Sequence, residues 1–398
     1  MTRASAGGAA PPMPAALVLG LSPTGLTAAR SLGRRGIPVF GADLSRWSLG
    51  RFSRYCRHVP EICEASGDGD ALLSALVDFA EERPHRPVLY VTNDDYIEML
   101  APRAERLEPH FRLTTDLAGV AGRFLDKREF YDICREARVE LPATFWPRDA
   151  ADVKRIAGEI SYPALVKPAR GHRLRGAMGG DKVALADTPE ALRRRYDTLA
   201  EVDPRLLVQE VIPGGEDRIL VAGCYLDRDS RPRALFVGRK LRQFPHDFGS
   251  ASLAESCSDP EVGRLSEAFL RKVGFVGLCG TEYKLDPRDG KRKMIEVNPR
   301  LTLWMALTRA AGVDMALAAY RDAVDGQVPE MRQRDGVRWT YLARDLQTSL
   351  RYLRTGRLGV GEWLRSYRGL EEEAVLAGDD PGPALAYPLY ALSRLKRR

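Results

Sequence analysis

Glu296, Asn298 and Arg300 stand at alternate positions in the run MIEVNPRLTLWM (residues 294–305). In an extended segment alternate side chains share one face. A carboxylate, an amide and a guanidinium are thereby brought together, a set that is costly to bury unless its members are paired. A second β-like run, GTEYKLD (280–286), precedes this one across the turn signal PRDG. Pairing Asp286 with Arg292 closes a five-residue loop and sets Glu282 directly opposite Glu296. Like charges in direct cross-strand opposition destabilise a sheet. Two carboxylates and an amide suit a hard cation such as Mg²⁺, which keeps phosphate oxygens among its ligands. Arg300 then offers a planar fork of donors for a phosphoryl group. The competing reading is a wet outer face. It ranks second because Leu285, Ile295 and Val297 supply a separate apolar face.

Lysine is scarce, at ten of the 61 basic residues. A Lys at a key position therefore points to a compact ammonium rather than a generic positive charge. Lys167 closes the strand-like YPALVKP, Lys127 opens a helical segment, and Lys240 ends the strand-like ALFVGRKLR. The loop RGAMGGDKV contains Gly179 and Gly180, whose backbone N–H groups can cover phosphates; a solvent hairpin is nearly as common a use. Glu210 ends a strand before Pro-Gly-Gly, which leaves backbone groups free for a purine edge, and Asp217 lies seven residues on. The turn Gly20-x-Ser22-x-x-Gly25 could cradle a phosphate at a helix N-terminus or serve packing alone.

Other residues carry weaker signals. Asn93, Asp94 and Asp95 stand at the C-terminal end of a strand, where open α/β sheets bind ligands, but helix capping is the safer reading. His172 and His246 are loop histidines, Trp304 reads as core, and Arg170, Arg173 and Arg175 read first as solvated surface.

Residues 15–115 read as a parallel sheet with crossover helices. Helices at 126–139 and 149–159 lead to strands 162–168 and 181–186, and a helix then precedes strand 206–214. Strands 219–227 and 234–242 pair around RDSRPR, and helix 259–274 leads back to the two runs described first. The pattern divides at 15–115, 116–205, 206–325 and 326–398, the last stretch being mostly helical. The 398 residues, 44% hydrophobic and 29% charged, suit a soluble globular chain. No run reaches the length of a membrane span, and no signal peptide is read at the N-terminus. Six cysteines without metal spacing fit reduced thiols in a cytoplasm. The net charge of +7 is spread along the chain. A nucleic-acid partner is not expected, and the basic tail RLKRR is read as a solvated end.

The order of these pieces resembles the ATP-grasp superfamily over about residues 15–325. SRYCRHVP, YPALVKP, GRKLRQFP and IEVNPR are similar to the carboxylate–amine ligase group that includes D-aspartate ligase. The resemblance implies an α/β fold: a Rossmann-like pre-ATP-grasp domain, a small α+β lid and an antiparallel-sheet α+β domain, followed by a helical tail. It implies ATP, with Lys127 and Lys167 at the phosphates and adenine side and Gly179 and Gly180 in the lid. Glu210 and the Ile212 backbone would meet the purine, and Asp217, or Glu216 beside it, the ribose. Glu282, Glu296 and Asn298 would hold two Mg²⁺, for which Mn²⁺ can substitute, while Lys240 and Arg300 would stabilise the transferred phosphoryl group. Partners would be a small carboxylate and an amine, without membrane insertion and with a homo-oligomer left open. Loss of turnover with retained nucleotide binding, or use of bicarbonate as the acid, are the alternatives.

Overall fold

The computed structural model describes residues 13–65, 67–170 and 183–395. Five parallel strands form the first sheet: β1 (Ala16–Leu19), β2 (Val39–Ala42), β3 (Arg57–His58), β4 (Val88–Val91) and β5 (Arg112–Leu113), in the order β3-β2-β1-β4-β5. The helices α1 (Pro23–Gly33), α2 (Pro60–Ala65), α3 (Gly69–Glu81), α4 (Asp94–Leu100) and α5 (Ala104–Leu107) accompany it. Strands β1 and β4 are buried throughout, as a sheet covered on both faces requires. In the glycine turn after β1, a Cβ on Gly25 would lie 1.9 Å from the Gly20 carbonyl oxygen. That glycine serves the close approach of α1 to the turn.

Helices α6 (Lys127–Glu136), α7 (Ala150–Glu159) and α8 (Pro189–Ala200) flank a four-stranded sheet. Its strands are β6 (Thr144–Phe145), β7 (Ala164–Pro168), β8 (Ala184–Ala186) and β9 (Leu206–Glu210), in the order β6-β9-β7-β8. Strand β9 thus belongs with the lid strands, although the sequence pattern divides at 205. Its five residues are all buried, which suits a central strand.

The third sheet holds seven strands in the order β14-β13-β10-β11-β12-β15-β16. They are β10 (Ile219–Leu226), β11 (Pro232–Phe244), β12 (Ser250–Ser256), β13 (Gly277–Leu285), β14 (Arg292–Asn298), β15 (Arg338–Thr340) and β16 (Leu370–Glu373). The helices of this part are α9 (Pro260–Lys272), α10 (Met305–Ala310), α11 (Met315–Asp325), α12 (Leu342–Arg354), α13 (Val360–Arg365) and α14 (Gly382–Leu395). The C-terminal stretch, expected to be mostly helical, also completes this sheet, since β15 pairs with β12 and β16 with β15. β15 is only three residues long, too short for a period-2 pattern to register, yet its Trp339 is fully buried. β12 escapes a pattern reading because its inward positions include Ser252 and Ser256, whose hydroxyls are hydrogen-bonded inside.

The tail also closes on the first domain. Arg30 on α1 forms a buried ion pair with Asp380 at 2.9 Å, and Asp380 also accepts from Ser53 and the Arg54 backbone.

Candidate active site

The β13–β14 hairpin carries the oxygen-rich face. Glu282 pairs in register with Glu296, Thr281 with Val297 and Gly280 with Asn298. The hairpin turn is one residue tighter than expected. Asp286 N donates to the Lys291 carbonyl at 2.8 Å, and Leu285, not Asp286, pairs with Arg292. A bulge at Ile295 restores the offset, so the two glutamates face each other by way of an irregularity that turn counting does not anticipate. The bulge also changes the apolar face. Tyr283, Met294 and Val297 enter the core, while Leu285 and Ile295 are only half-buried.

Cations converge on these carboxylates from four elements. Lys240 on β11, nearly buried, places Nζ 2.7 Å from Glu282 and 3.3 Å from the Gln243 side-chain oxygen. Lys167 on β7 donates to the Gln209 side-chain oxygen at 3.0 Å and lies near the Tyr131 hydroxyl at 3.5 Å. Gln209 in turn donates to Tyr131 and Thr144 at 2.6 and 2.7 Å. Burial lowers the Lys167 ammonium to about 8, with Glu296 pulling the other way. Lys127 opens α6, one helical turn before Tyr131. Burial lowers it as well, and the neighbouring Lys167 adds to the effect, whereas Glu296, Asp94 and Asp126 oppose it. Arg300, just past β14, is held on Asp94 of α4 at 2.6 and 3.1 Å and reaches the Asn298 side-chain oxygen at 3.2 Å. Burial works against its charge, but Asp94 and then Glu296 more than offset this. Lys127, Lys167 and Arg300 therefore all feel Glu296.

The residues expected at the purine are arranged differently. Glu210 ends β9 nearly buried, with one oxygen accepting from Ala143 N at 2.9 Å and the other from Arg288 at 2.7 Å. Its carboxyl is held below the usual range because these bonds and Lys293 outweigh burial. Arg288 is 40% exposed, so this is the contact an incoming polar group would displace. Ile212 is buried beside it and Asp217 is exposed. Glu216 does not stand in for Asp217, because its buried carboxylate accepts from the Tyr352 hydroxyl at 2.7 Å and from Asp247 N at 3.0 Å. Gly179, Gly180, His172, Arg173 and Arg175 lie outside the described residues. Arg170 pairs with Glu98 and Asp126, each at 3.2 Å.

Asn93 caps α4 by accepting from Tyr96 N at 3.0 Å, and Trp304 is core. His246 is half-buried in the β11–β12 connection. The pattern reading missed Gln209 and Tyr131, the partners of Lys167; the polar Gln inside an otherwise apolar strand was the available signal. It also missed the direct contact of Asp94 with Arg300, which joins the first domain to the hairpin.

Among the described residues no group of three His, Cys, Asp or Glu side chains is close enough to hold a metal. The candidate donor set has two carboxylates and one amide, with Lys240 Nζ balancing Glu282. Directly opposed carboxylates with an amide fit a hard cation that completes its shell with water and phosphate oxygens.

A parallel-sheet domain, a small lid sheet and a larger mostly antiparallel sheet, with lysines and carboxylates at their junction, make up the ATP-grasp fold, and that is the fold of this chain. The family model of the carbamoyl-phosphate synthase L chain, ATP binding domain, matches residues 255–331. The chain is similar to D-aspartate ligase of Enterococcus faecium, 24% identical in an alignment of 288 positions that covers 68% of each chain. It also matches a carbamoyl phosphate synthase large-chain section of Methanopyrus kandleri at 22% identity, spanning only 47% of that longer chain. The biotin carboxylase domain of Hydrogenobacter thermophilus 2-oxoglutarate carboxylase, solved with MgADP and bicarbonate, superposes with a TM-score of 0.62 at 18% identity, covering 81% of this chain and 73% of that one. An L-amino acid ligase from Bacillus licheniformis gives 0.59 at 15% identity, over 81% and 78%. Among the described residues no helix is long and apolar enough to cross a membrane.

Proposed function

We propose that this chain is an ATP-dependent ligase that joins a carboxylate to an amine. The observation that carries the reading is the position of Glu296, which acts on Lys127, Lys167 and Arg300, cations drawn from separate elements, while lying opposite Glu282. Two mutually repelling, desolvated lysines are stabilised by an anion, and a polyphosphate meets that need. The similarity to D-aspartate ligase supports an amine as acceptor.

Lys127 and Lys167 bind phosphate oxygens. Asp217 and the Ile212 backbone approach the ribose and purine, and Glu210 reaches the purine by exchanging its Arg288 contact. Glu282, Glu296 and Asn298 would hold Mg²⁺, which neutralises phosphate charge when bound; two ions, and Mn²⁺ in their place, fit the same oxygen donors. Lys240 and Arg300 stabilise the phosphoryl group in transfer, since phosphoryl transfer rests on positioning and charge neutralisation. A carboxylate oxygen of the acid attacks the γ-phosphorus in line, and ADP leaves. The amine then attacks the acyl carbon, phosphate leaves with the bonding pair, and the amine gives up a proton. Closure over the site must exclude water from the acyl phosphate, and Gly179 and Gly180 are proposed for that lid.

The test is ADP release from Mg·ATP against pooled amino acids and small carboxylates, with hydroxylamine as the trapping nucleophile. Acid-dependent ADP together with a hydroxamate is the expected result. Nucleotide binding without ADP from any pool would leave two readings, an acid outside the pools or a nucleotide-binding protein without turnover. ADP release dependent on bicarbonate alone would make it a carboxylase.

A further inference from the structure

Helix α12 is oriented opposite to an ordinary surface helix, which buries its apolar stripe. Its inward residues are polar: Asp345, Thr348, Ser349 and Tyr352 are buried. Their groups are satisfied by Arg242, by the Gln243 carbonyl at 2.8 Å and by Glu216 at 2.7 Å. Its leucines point outward. Leu346 and Leu350 are 45% and 49% exposed, and Leu342 and Leu353 flank them half-buried. Positions 342, 346, 350 and 353 follow the helical repeat, so the four leucines form one stripe. The short helix after it repeats the feature, with Val360 and Leu364 exposed and Arg365 adjacent.

The charge beside the stripe identifies the occupant. Arg351 and Arg354 are exposed, and Arg344 lies along the Tyr341 and Phe244 rings. Among the described residues none of the three pairs with an acid in a salt bridge, whereas Asp345 faces inward to Arg242 and Arg357 is taken by Asp247. A second copy docked on this face would set arginines against arginines. An anionic lipid surface neutralises them and takes up the leucines together. We propose that α12 is a peripheral docking helix for anionic membranes, with its leucine stripe at the acyl boundary and its arginines among the headgroups.

Lipid binding needs no nucleotide, so vesicle binding and ligase turnover are separate readouts. The experiment is sedimentation of the full chain with vesicles of phosphatidylcholine alone and of equal parts phosphatidylcholine and phosphatidylglycerol. Binding is expected to the second only, and to fall with salt. Each arginine near an anionic surface is worth about fivefold, so R351E with R354E should reduce binding by well over about tenfold. L346Q with L350Q should reduce it by about tenfold or more, and both double variants should keep the parent melting temperature. Absence of sedimentation, equal binding to both vesicle types, or binding unchanged in either variant would overturn the proposal. So would a concentration-dependent dimer, seen by ultracentrifugation without lipid and abolished by L346Q with L350Q, which would assign the stripe to a second copy.

Discussion

Replacing Asp345 by alanine tests what fixes the C-terminal tail to the strand that bears Lys240. Asp345 meets Arg242 through two bonds of 2.9 and 2.7 Å, and the two side chains are 0% and 5% exposed. Ser252 and Tyr367 also donate to the carboxylate, at 2.9 and 2.5 Å. The substitution leaves a buried guanidinium and three hydroxyls, that of Ser349 at 3.4 Å being the third, without their acceptor. Removing one partner of such a pair costs about 3–5 kcal/mol. At about 2.1 cal/mol/K per residue, unfolding this chain carries an entropy of about 0.8 kcal/mol/K, so the melting temperature should fall by about 4–6 °C. Scanning fluorimetry reads it directly. R242M combined with D345L should recover most of the loss, because the cost lies in the orphaned charge rather than in a missing attraction. A fall under about 1 °C in D345A, or simple additivity of the two single losses, would refute the reasoning.

Lys167, lowered to about 8 by burial among Lys127, Tyr131 and Glu296, predicts opposite pH trends for stability and binding. Between about 8 and its ordinary value of 10.5 the unfolded chain holds a proton that the folded chain has released, so stability rises with pH in that window. Phosphate binding needs the ammonium, so Mg·ATP affinity by calorimetry should fall up to about tenfold per pH unit above that pKa. E296A should lower turnover by about a hundredfold or more while leaving the melting temperature within a few degrees; full activity would remove Glu296 from the metal set. D94N weakens the bidentate hold on Arg300 and should lower turnover about tenfold through misplacement of the guanidinium, and an unchanged rate would show that the Asp94–Arg300 pair joins the two elements without placing a catalytic group. K167R should fail to support turnover, because a planar fork does not fit the place that Gln209 and Tyr131 frame for an ammonium.

Glu282, Glu296, Asn298 and Arg300 were legible because alternation on an extended segment is a short-range rule, and past the bulge at Ile295 the rule holds over residues 296–300. The turn register was not legible. A bulge costs one residue in one strand and leaves no mark in composition, so the expected opposition of the glutamates arises through Ile295 rather than through the loop length. The scarcity of lysine singled out Lys127, Lys167 and Lys240, and all three converge. What surrounds them was hidden, since Gln209 reaches Lys167 from the paired strand β9, Tyr131 from α6, and Asp94 meets Arg300 from the first domain, none of which a local pattern shows. Glu210 illustrates the same limit. Its place at the end of β9 follows from the sequence, but its bond to Arg288 depends on the far side of the β13–β14 turn, 78 residues away.

Helix α12 was the least legible part, because its polarity is reversed. A pattern reading assigns leucines 342, 346, 350 and 353 to the core and the polar positions between them to solvent. The opposite happens because the interior beneath α12 is already polar: Arg242 must have a buried carboxylate, and Glu216 and the Gln243 carbonyl must have donors. Asp345, Tyr352 and Thr348 meet those needs from a single helix face. Each of the three partners stands next to a proposed nucleotide contact, Gln243 and Arg242 near Lys240 on β11 and Glu216 beside Asp217. Through these bonds α12 is tied to residues beside both the proposed phosphate contact and the proposed ribose contact. The tail is built into the site's support, and its leucine face is where an outside surface could act on that support.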